Sequence, residues 1–204
     1  MFGYDLQFKS FSFLKLYTLQ PLHLNNTVKA EKEWVFFNRL EKVGSQSMIA
    51  LLTDLSKVNN FAAYTNSRKA YIRQLYTEEE EQEIAEELDS VDEPMSYSEH
   101  TNWINFTKHE LPKPIYINLV RHPIHKVMSA YYFIRKPEVY AFYVKNFNRP
   151  LEKEEYFKTS FNDCVKQAER KDCIFDPHIE FNSDWRRFAM RFCGNRKECM
   201  YGLQ

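Results

Sequence analysis

Trp34-Val35-Phe36-Phe37-Asn38-Arg39-Leu40-Glu41-Lys42-Val43-Gly44-Ser45-Gln46-Ser47-Met48-Ile49-Ala50-Leu51-Leu52-Thr53-Asp54-Leu55 passes from an apolar run, through a polar turn, into apolar residues at helical spacing. Residues 34–37 suit a buried strand and 48–55 a helix. Strand, turn and helix in that order open a βαβ unit. Residues 61–64 are the candidate for its second strand. The pattern recurs downstream: 115–120 is β-branched, aromatic and almost wholly apolar, as a buried parallel strand should be. Arg121-His122-Pro123 closes it. Pro123 suits a first helical turn, and Ile124, Val127, Met128, Tyr131 and Tyr132 form an apolar face behind it.

Between the two passages the chain is acidic from 77 to 89. Thr77 is a plausible N-cap, and glutamates favour a first helical turn. This reads as a solvated surface helix, stopped before Pro94, with 95–97 as a further strand. There is no internal repeat and no linker rich in Gly or Ser. The economical architecture is one α/β domain over 34–204, a parallel sheet flanked by helices, behind a poorly ordered lead-in at 1–33.

Composition narrows the function. Among 204 residues, 28 Lys and Arg balance 28 Asp and Glu. Zero net charge excludes a globally basic nucleic-acid binder. The balance hides an acidic middle and a basic end: 112–200 holds 17 bases against 11 acids. That end could face a polyanion, or be ordinary surface variation. Four glycines exclude collagen-like chains. No run of about 18 apolar residues exists to span a bilayer. The stretch 11–22 carries Lys15, Gln20 and Pro21, and makes neither an anchor nor a good signal peptide.

All four cysteines, Cys164, Cys173, Cys193 and Cys199, lie near the C-terminus. Their gaps do not match a CxxC zinc pattern. They suit two small disulfide loops in an oxidising compartment. Three connectivities are possible and sequence order favours the two local ones; four buried thiols are the alternative. Glycosylation sequons at Asn25-Asn26-Thr27 and Asn105-Phe106-Thr107 point to the same compartment.

Two turns carry chemistry. In 39–47, a helix N-terminus offers unbonded N–H donors and partial positive charge to an anion. Gly44 permits close approach, Ser45 and Ser47 add hydroxyls, and Arg39 and Lys42 add charge. GxxxxGK[ST] is absent and the lysine precedes the glycine, so a nucleotide kinase is disfavoured. In 121–129, Arg121 ends a strand, where open α/β sheets bind ligands. Its guanidinium can grip a phosphate, joined by Ser129 two helical turns on. The plain alternative for each is a capped turn with exposed bases.

Together the two turns resemble the signature loops of sulfotransferases that use 3′-phosphoadenosine 5′-phosphosulfate (PAPS). The likeness is closer to the glycosaminoglycan 2-O-sulfotransferases, namely the heparan sulfate and uronyl enzymes and the insect Pipe-like proteins. It is carried also by Val35-Phe36-Phe37-Asn38-Arg39, by His100-Thr101-Asn102-Trp103-Ile104-Asn105-Phe106, and by Pro114-Ile115-Tyr116-Ile117-Asn118 through Tyr132-Phe133. Phe161-Asn162-Asp163-Cys164 and Phe192-Cys193-Gly194-Asn195-Arg196-Lys197-Glu198-Cys199 extend it, so it covers about 34–199.

The resemblance implies a P-loop-like sheet, with Arg39, Lys42, Gly44, Ser45, Gln46 and Ser47 around the 5′-phosphosulfate and Arg121 and Ser129 on the 3′-phosphate. It implies His100 as general base, Lys42 at the leaving phosphate, and Cys164 paired with Cys173. No metal and no nucleic acid is implied. The acceptor would be a glycosaminoglycan or glycoprotein glycan, with Arg135, Lys136, Arg149 and Lys153 as candidate contacts. His122 and His125 read as loop and helix-surface residues; His109 and His178 receive no role. Full-length relatives are Golgi-lumenal type II membrane proteins that form trimers, and no anchor is visible here. Relatives continue past Cys199 with a stretch that completes the sheet, so the chain reads as C-terminally truncated. The alternative to an enzyme is a silent isoform that binds nucleotide or glycan. Val43 replaces a Thr or Cys common in relatives, and Glu41 sets a negative charge near the anion unless it points away.

Overall fold

Trp34–Asn38 forms strand β1, and its aromatic run is the centre of the core: Trp34, Phe36 and Phe37 are almost fully buried. The computed structural model describes residues 27–66, 76–170, 173, 186–196 and 199. Within them follow α1 (Ser45–Asn59), β2 (Ala62–Thr65), α2 (Glu78–Asp89), β3 (Met95–Glu99) and β4 (Ile115–Ile117). After these come α3 (Pro123–Phe133), α4 (Pro137–Phe147), α5 (Glu154–Lys158), α6 (Phe161–Gln167) and α7 (Arg186–Cys193).

The four strands are parallel in the order β2-β3-β1-β4. Parallel neighbours need crossover connections, and α1 and α2 supply them. Trp34, Phe36, Met95 and Tyr97 pack with Ile104 and Phe106 against Ile84, Ala85 and Leu88 of α2. Phe106 meets Trp34 edge-on at 5.2 Å and Phe36 at 5.6 Å, the favourable aromatic geometry.

Thr77 does cap α2: its hydroxyl accepts from the Glu80 N–H, and the Glu80 carboxylate accepts from the Thr77 N–H. The helix is more than a solvated surface element, because one face carries the core and buries Glu81. Glu81 accepts from Asn195 Nδ2 at 2.9 Å, tying α2 to the turn after α7.

Two expectations need correction. The strand expected over 115–120 ends at Ile117, is half-buried, and is an edge among the described residues. Asn118 ends it. Its side chain donates to the Asn38 carbonyl at 2.7 Å and accepts from the Leu119 N–H at 2.8 Å, drawing the chain out of the ladder. The apolar face of α3 is largely open: Tyr131 is buried, but Ile124 is 58% exposed and Val127 and Tyr132 are exposed too. α3 touches α6 through Tyr131 and Phe161. The end of the expected lead-in is bound to the domain. Glu31 N–H donates to Lys113 O, and Lys32 pairs with Asp89 at 2.7 Å.

Candidate functional site

β1 leads through α1 toward one side of the sheet, whereas β3 leads to β4 on the other side of β1. The connections leaving the neighbours β1 and β3 therefore run in opposite directions from their carboxyl ends, the arrangement at which open α/β sheets bind ligands. The register pairs Asn38 with Glu99. Residues 39 and 100, each the first beyond its strand, are consequently side by side.

Their contact is direct. Arg39 N–H donates to Glu99 O at 2.8 Å, and His100 Nδ1 lies 3.1 Å from Arg39 O. A carbonyl only accepts, so Nδ1 carries the proton and Nε2 keeps a lone pair. Burial pushes the His100 pKa below the ordinary imidazole value. Glu41 opposes this and Arg39 adds to it, while the bond to the Arg39 carbonyl opposes it and Arg191 adds to it. The imidazole is neutral at neutral pH and able to accept a proton.

The turn from Arg39 to Gly44 holds two left-handed residues, Lys42 at φ 63° and Gly44 at φ 98°. Glycine is needed at 44 for its φ, since a Cβ there would meet nothing within 4 Å. α1 begins after Gly44 with no side-chain cap and no acid in its first turn. The Ser47 N–H already donates to the Gly44 carbonyl at 3.0 Å, so the Ser45 and Gln46 N–H groups and the positive end of the helix are what an anion would meet. Ser45 is buried; Gln46 and Ser47 are exposed.

The second turn meets the first. Arg121 Nη1 donates to Lys42 O at 3.2 Å across 79 positions. The Lys42 ammonium stands 3.7 Å from the centre of the Phe133 ring at the end of α3. Burial lowers the Lys42 pKa, and Lys136 and Arg121 lower it further. Three cations therefore crowd one place, and among the described residues no carboxylate is ion-paired with Lys42, Arg121 or Lys136. Ser129 lies half-buried on α3.

The remaining expected residues are elsewhere or differently used. Arg39 is buried, 6% exposed, and so is not an open surface cation. Arg135 is also buried: it lies between the Tyr131 and Tyr156 rings at 3.4 and 4.0 Å and donates to the carbonyls of both residues. Its guanidinium is thus held inside the α3–α5 packing and not on an open surface. Arg149 donates to the Tyr156 hydroxyl at 3.0 Å. Lys136 and Lys153 are the N-cap residues of α4 and α5, and both are exposed. The cysteines pair as Cys164–Cys173 and Cys193–Cys199. Asn105 is half-buried, with Thr107 Oγ1 donating to its side-chain oxygen at 2.9 Å. Asn25 and His178 lie outside the described residues.

Sequence reasoning missed Arg191 and the side to which Glu41 turns. Glu41 Oε1 accepts from Arg191 Nη2 at 2.8 Å and lies 3.6 Å from His100 Nδ1. Burial acts against its charge, but Arg191, His100, the backbone and Lys126 together hold its carboxyl below the usual range. The negative charge in the turn thus points to α7 and His100. No local pattern could have shown a partner 150 positions away. No helix among the described residues is long and apolar enough to cross a membrane.

Residues 25–203 match the family described as the sulfotransferase family. The chain is similar to the Drosophila melanogaster protein named uronyl 2-sulfotransferase homolog pip, with 37% identity over 87% of this chain and 35% of the relative. It is similar to human uronyl 2-sulfotransferase at 25% identity, over 81% of this chain and 38% of the relative. Human heparan sulfate 2-O-sulfotransferase 1 shares 26% identity over 90% of this chain and 48% of the relative. The chain therefore spans between about a third and a half of the length of these relatives.

Proposed function

The chain belongs to the sulfotransferase family, and on that premise we propose that it transfers a sulfuryl group from PAPS to the 2-hydroxyl of a uronic acid in a glycosaminoglycan or glycoprotein glycan. One observation carries the reading. Two cationic turns meet at Lys42 and Arg121, beside a neutral histidine whose Nε2 is left as an acceptor.

The residues fit a doubly anionic nucleotide. The N-terminus of α1, with Ser45, Gln46, Ser47 and Lys42, would hold the 5′ end, and Gly44 allows the close approach. Arg39, buried at the start of the same turn, would add its positive charge to the 5′ end. Arg121 and Ser129 would hold the 3′-phosphate. The acceptor oxygen attacks sulfur in line with the bond to the 5′-phosphate, and that bond breaks as the new one forms. The hydroxyl proton passes to Nε2 of His100. Charge collects on the departing phosphate oxygen, where the Lys42 ammonium stabilises it. Positioning and charge neutralisation suffice, as in phosphoryl transfer. Lys136, exposed at the start of α4, remains a candidate for an anionic acceptor chain, whereas Arg149 is held by the Tyr156 hydroxyl. The disulfides and the sequon at Asn105 suit the Golgi lumen, where the protein would work, and assembly with further copies belongs to the same reading.

A second reading, a binding protein without turnover, keeps the same two cationic turns and the same nucleotide contacts. Transfer of radiolabelled sulfate from PAPS to desulfated heparan and dermatan sulfates separates the two. The enzyme reading expects label in the glycan. Stabilisation by 3′-phosphoadenosine 5′-phosphate with no label in any glycan selects the binding reading. Absence of both removes both.

A further inference from the structure

We propose that Glu41 is a positioning residue for His100: its carboxylate, anchored by Arg191, receives the positive charge that forms on the imidazole when Nε2 takes the acceptor's proton. The inference rests on the reading of His100 as base and adds to it a residue that base catalysis alone does not require.

The geometry supplies the argument. His100 follows β3, Glu41 lies in the turn after β1, and Arg191 lies on α7, so three separate elements converge on one ring. The Arg39 carbonyl at 3.1 Å sets the tautomer. Glu41 Oε1, at 3.6 Å from the same nitrogen, is too long for a strong bond to a neutral ring. It is well placed as an ion-pair partner once the ring is charged. The charged groups facing His100 are Arg39 and Glu41 from the turn and Arg191 from α7; Lys126 of α3 acts on Glu41 in turn. Two of the three facing charges are arginines. A half-buried imidazolium between two guanidiniums is unfavourable, and among the described residues Glu41 is the neighbour that offsets both. Arg191 holds the carboxylate toward the ring through its 2.8 Å bond, and the Asn38 side chain fixes that helix by donating to the Arg191 carbonyl. The arrangement parallels the carboxylate that orients and compensates a histidine base in hydrolases, reached here from a turn that also faces an anion.

The two partners act on the ring with opposite sign, which makes the role separable from a merely structural one. The Glu41 carboxylate raises the His100 pKa and the Arg191 guanidinium lowers it. In histidine-labelled full-length protein, NMR titration of His100 is expected to show a lower midpoint in Glu41→Gln and a higher one in Arg191→Gln. Glu41→Asp should restore most of the native midpoint. In sulfate transfer, Glu41→Gln should lower kcat about tenfold with KM for PAPS little changed, less than the ~10²–10⁴-fold that loss of a general base costs. The acid limb of its pH profile should follow the NMR shift. If the His100 midpoint is the same in Glu41→Gln as in the native protein, the inference is overturned. His100→Ala tests the underlying reading separately. If transfer survives that change, the base assignment fails, whatever the titration shows.

Discussion

Two clusters of basic residues flank the helices α3 to α5, and they are built in opposite ways. In one, Arg135, Arg149 and Arg170 surround Tyr156. Arg135 stacks between two rings and bonds two carbonyls, Arg149 bonds a hydroxyl, and Arg170 forks onto the Glu152 carboxylate at 2.9 and 3.3 Å. Every charge there has its complement within the fold. In the other cluster, Lys42, Arg121 and Lys136 face one another at the carboxyl ends of β1 and β4, and burial and mutual repulsion depress the Lys42 pKa. A protein keeps cations together without acids where something else brings the negative charge. On the proposed function, the difference separates bases that hold the fold from bases that would hold a ligand, although both clusters are built only of Lys or Arg.

The largest effect should come from the second cluster. Lys42→Ala is expected to lower the rate of sulfate transfer by about 10²–10³-fold, the usual loss for one donor aimed at developing charge. Its melting temperature should stay near the native value, because removing one of three repelling cations relieves strain on the turn. A drop of many degrees with unchanged specific activity would merge the two clusters into one structural class.

Arg135→Ala should behave in reverse. It removes the hydrogen bonds that Arg135 donates to the Tyr131 and Tyr156 carbonyls, at about 1–3 kcal/mol. Thermal unfolding should fall by about 2–4 °C for each kcal/mol lost. Affinity for 3′-phosphoadenosine 5′-phosphate, measured below the unfolding range, should be retained.

A smaller and more diagnostic effect concerns pH and salt. A bound anion raises the pKa of Lys42 toward that of an ordinary lysine, so binding favours the protonated form. Nucleotide affinity should therefore be full where Lys42 is charged and be lost as pH rises through its lowered pKa. It should weaken with ionic strength as well. Titrations showing affinity that is flat on the alkaline side would place the ligand elsewhere.

Much of this was legible in the sequence. The apolar run 34–37, Pro123 at a first helical turn and Thr77 three residues before Glu80 are local signals, and local physics decides them. The two cationic turns were legible as types, since Gly44, Lys42 and Arg121 stand where strand gives way to helix. Register was not. That His100 stands beside Arg39 follows from the pairing of Asn38 with Glu99, which depends on the whole sheet. The inward turn of Arg135 was equally hidden, because a basic residue at the end of α3 reads the same whether tyrosines enclose it or water does. The overlong strand at 115–120 failed for a local reason that composition masks: Asn118 spends its side chain on the Asn38 carbonyl and its own neighbour.

The central claim is that turns 79 positions apart grip the two ends of one nucleotide. Calorimetric titration of the native protein and Arg121→Ala with 3′-phosphoadenosine 5′-phosphate and with adenosine 5′-phosphate tests it most directly, because the second ligand lacks only the 3′-phosphate. The account predicts that the variant loses about tenfold or more in affinity for the first ligand, as expected for a charge-assisted contact worth about 1.5–3 kcal/mol, and nothing for the second. Equal losses for both ligands, or no loss for either, would contradict it.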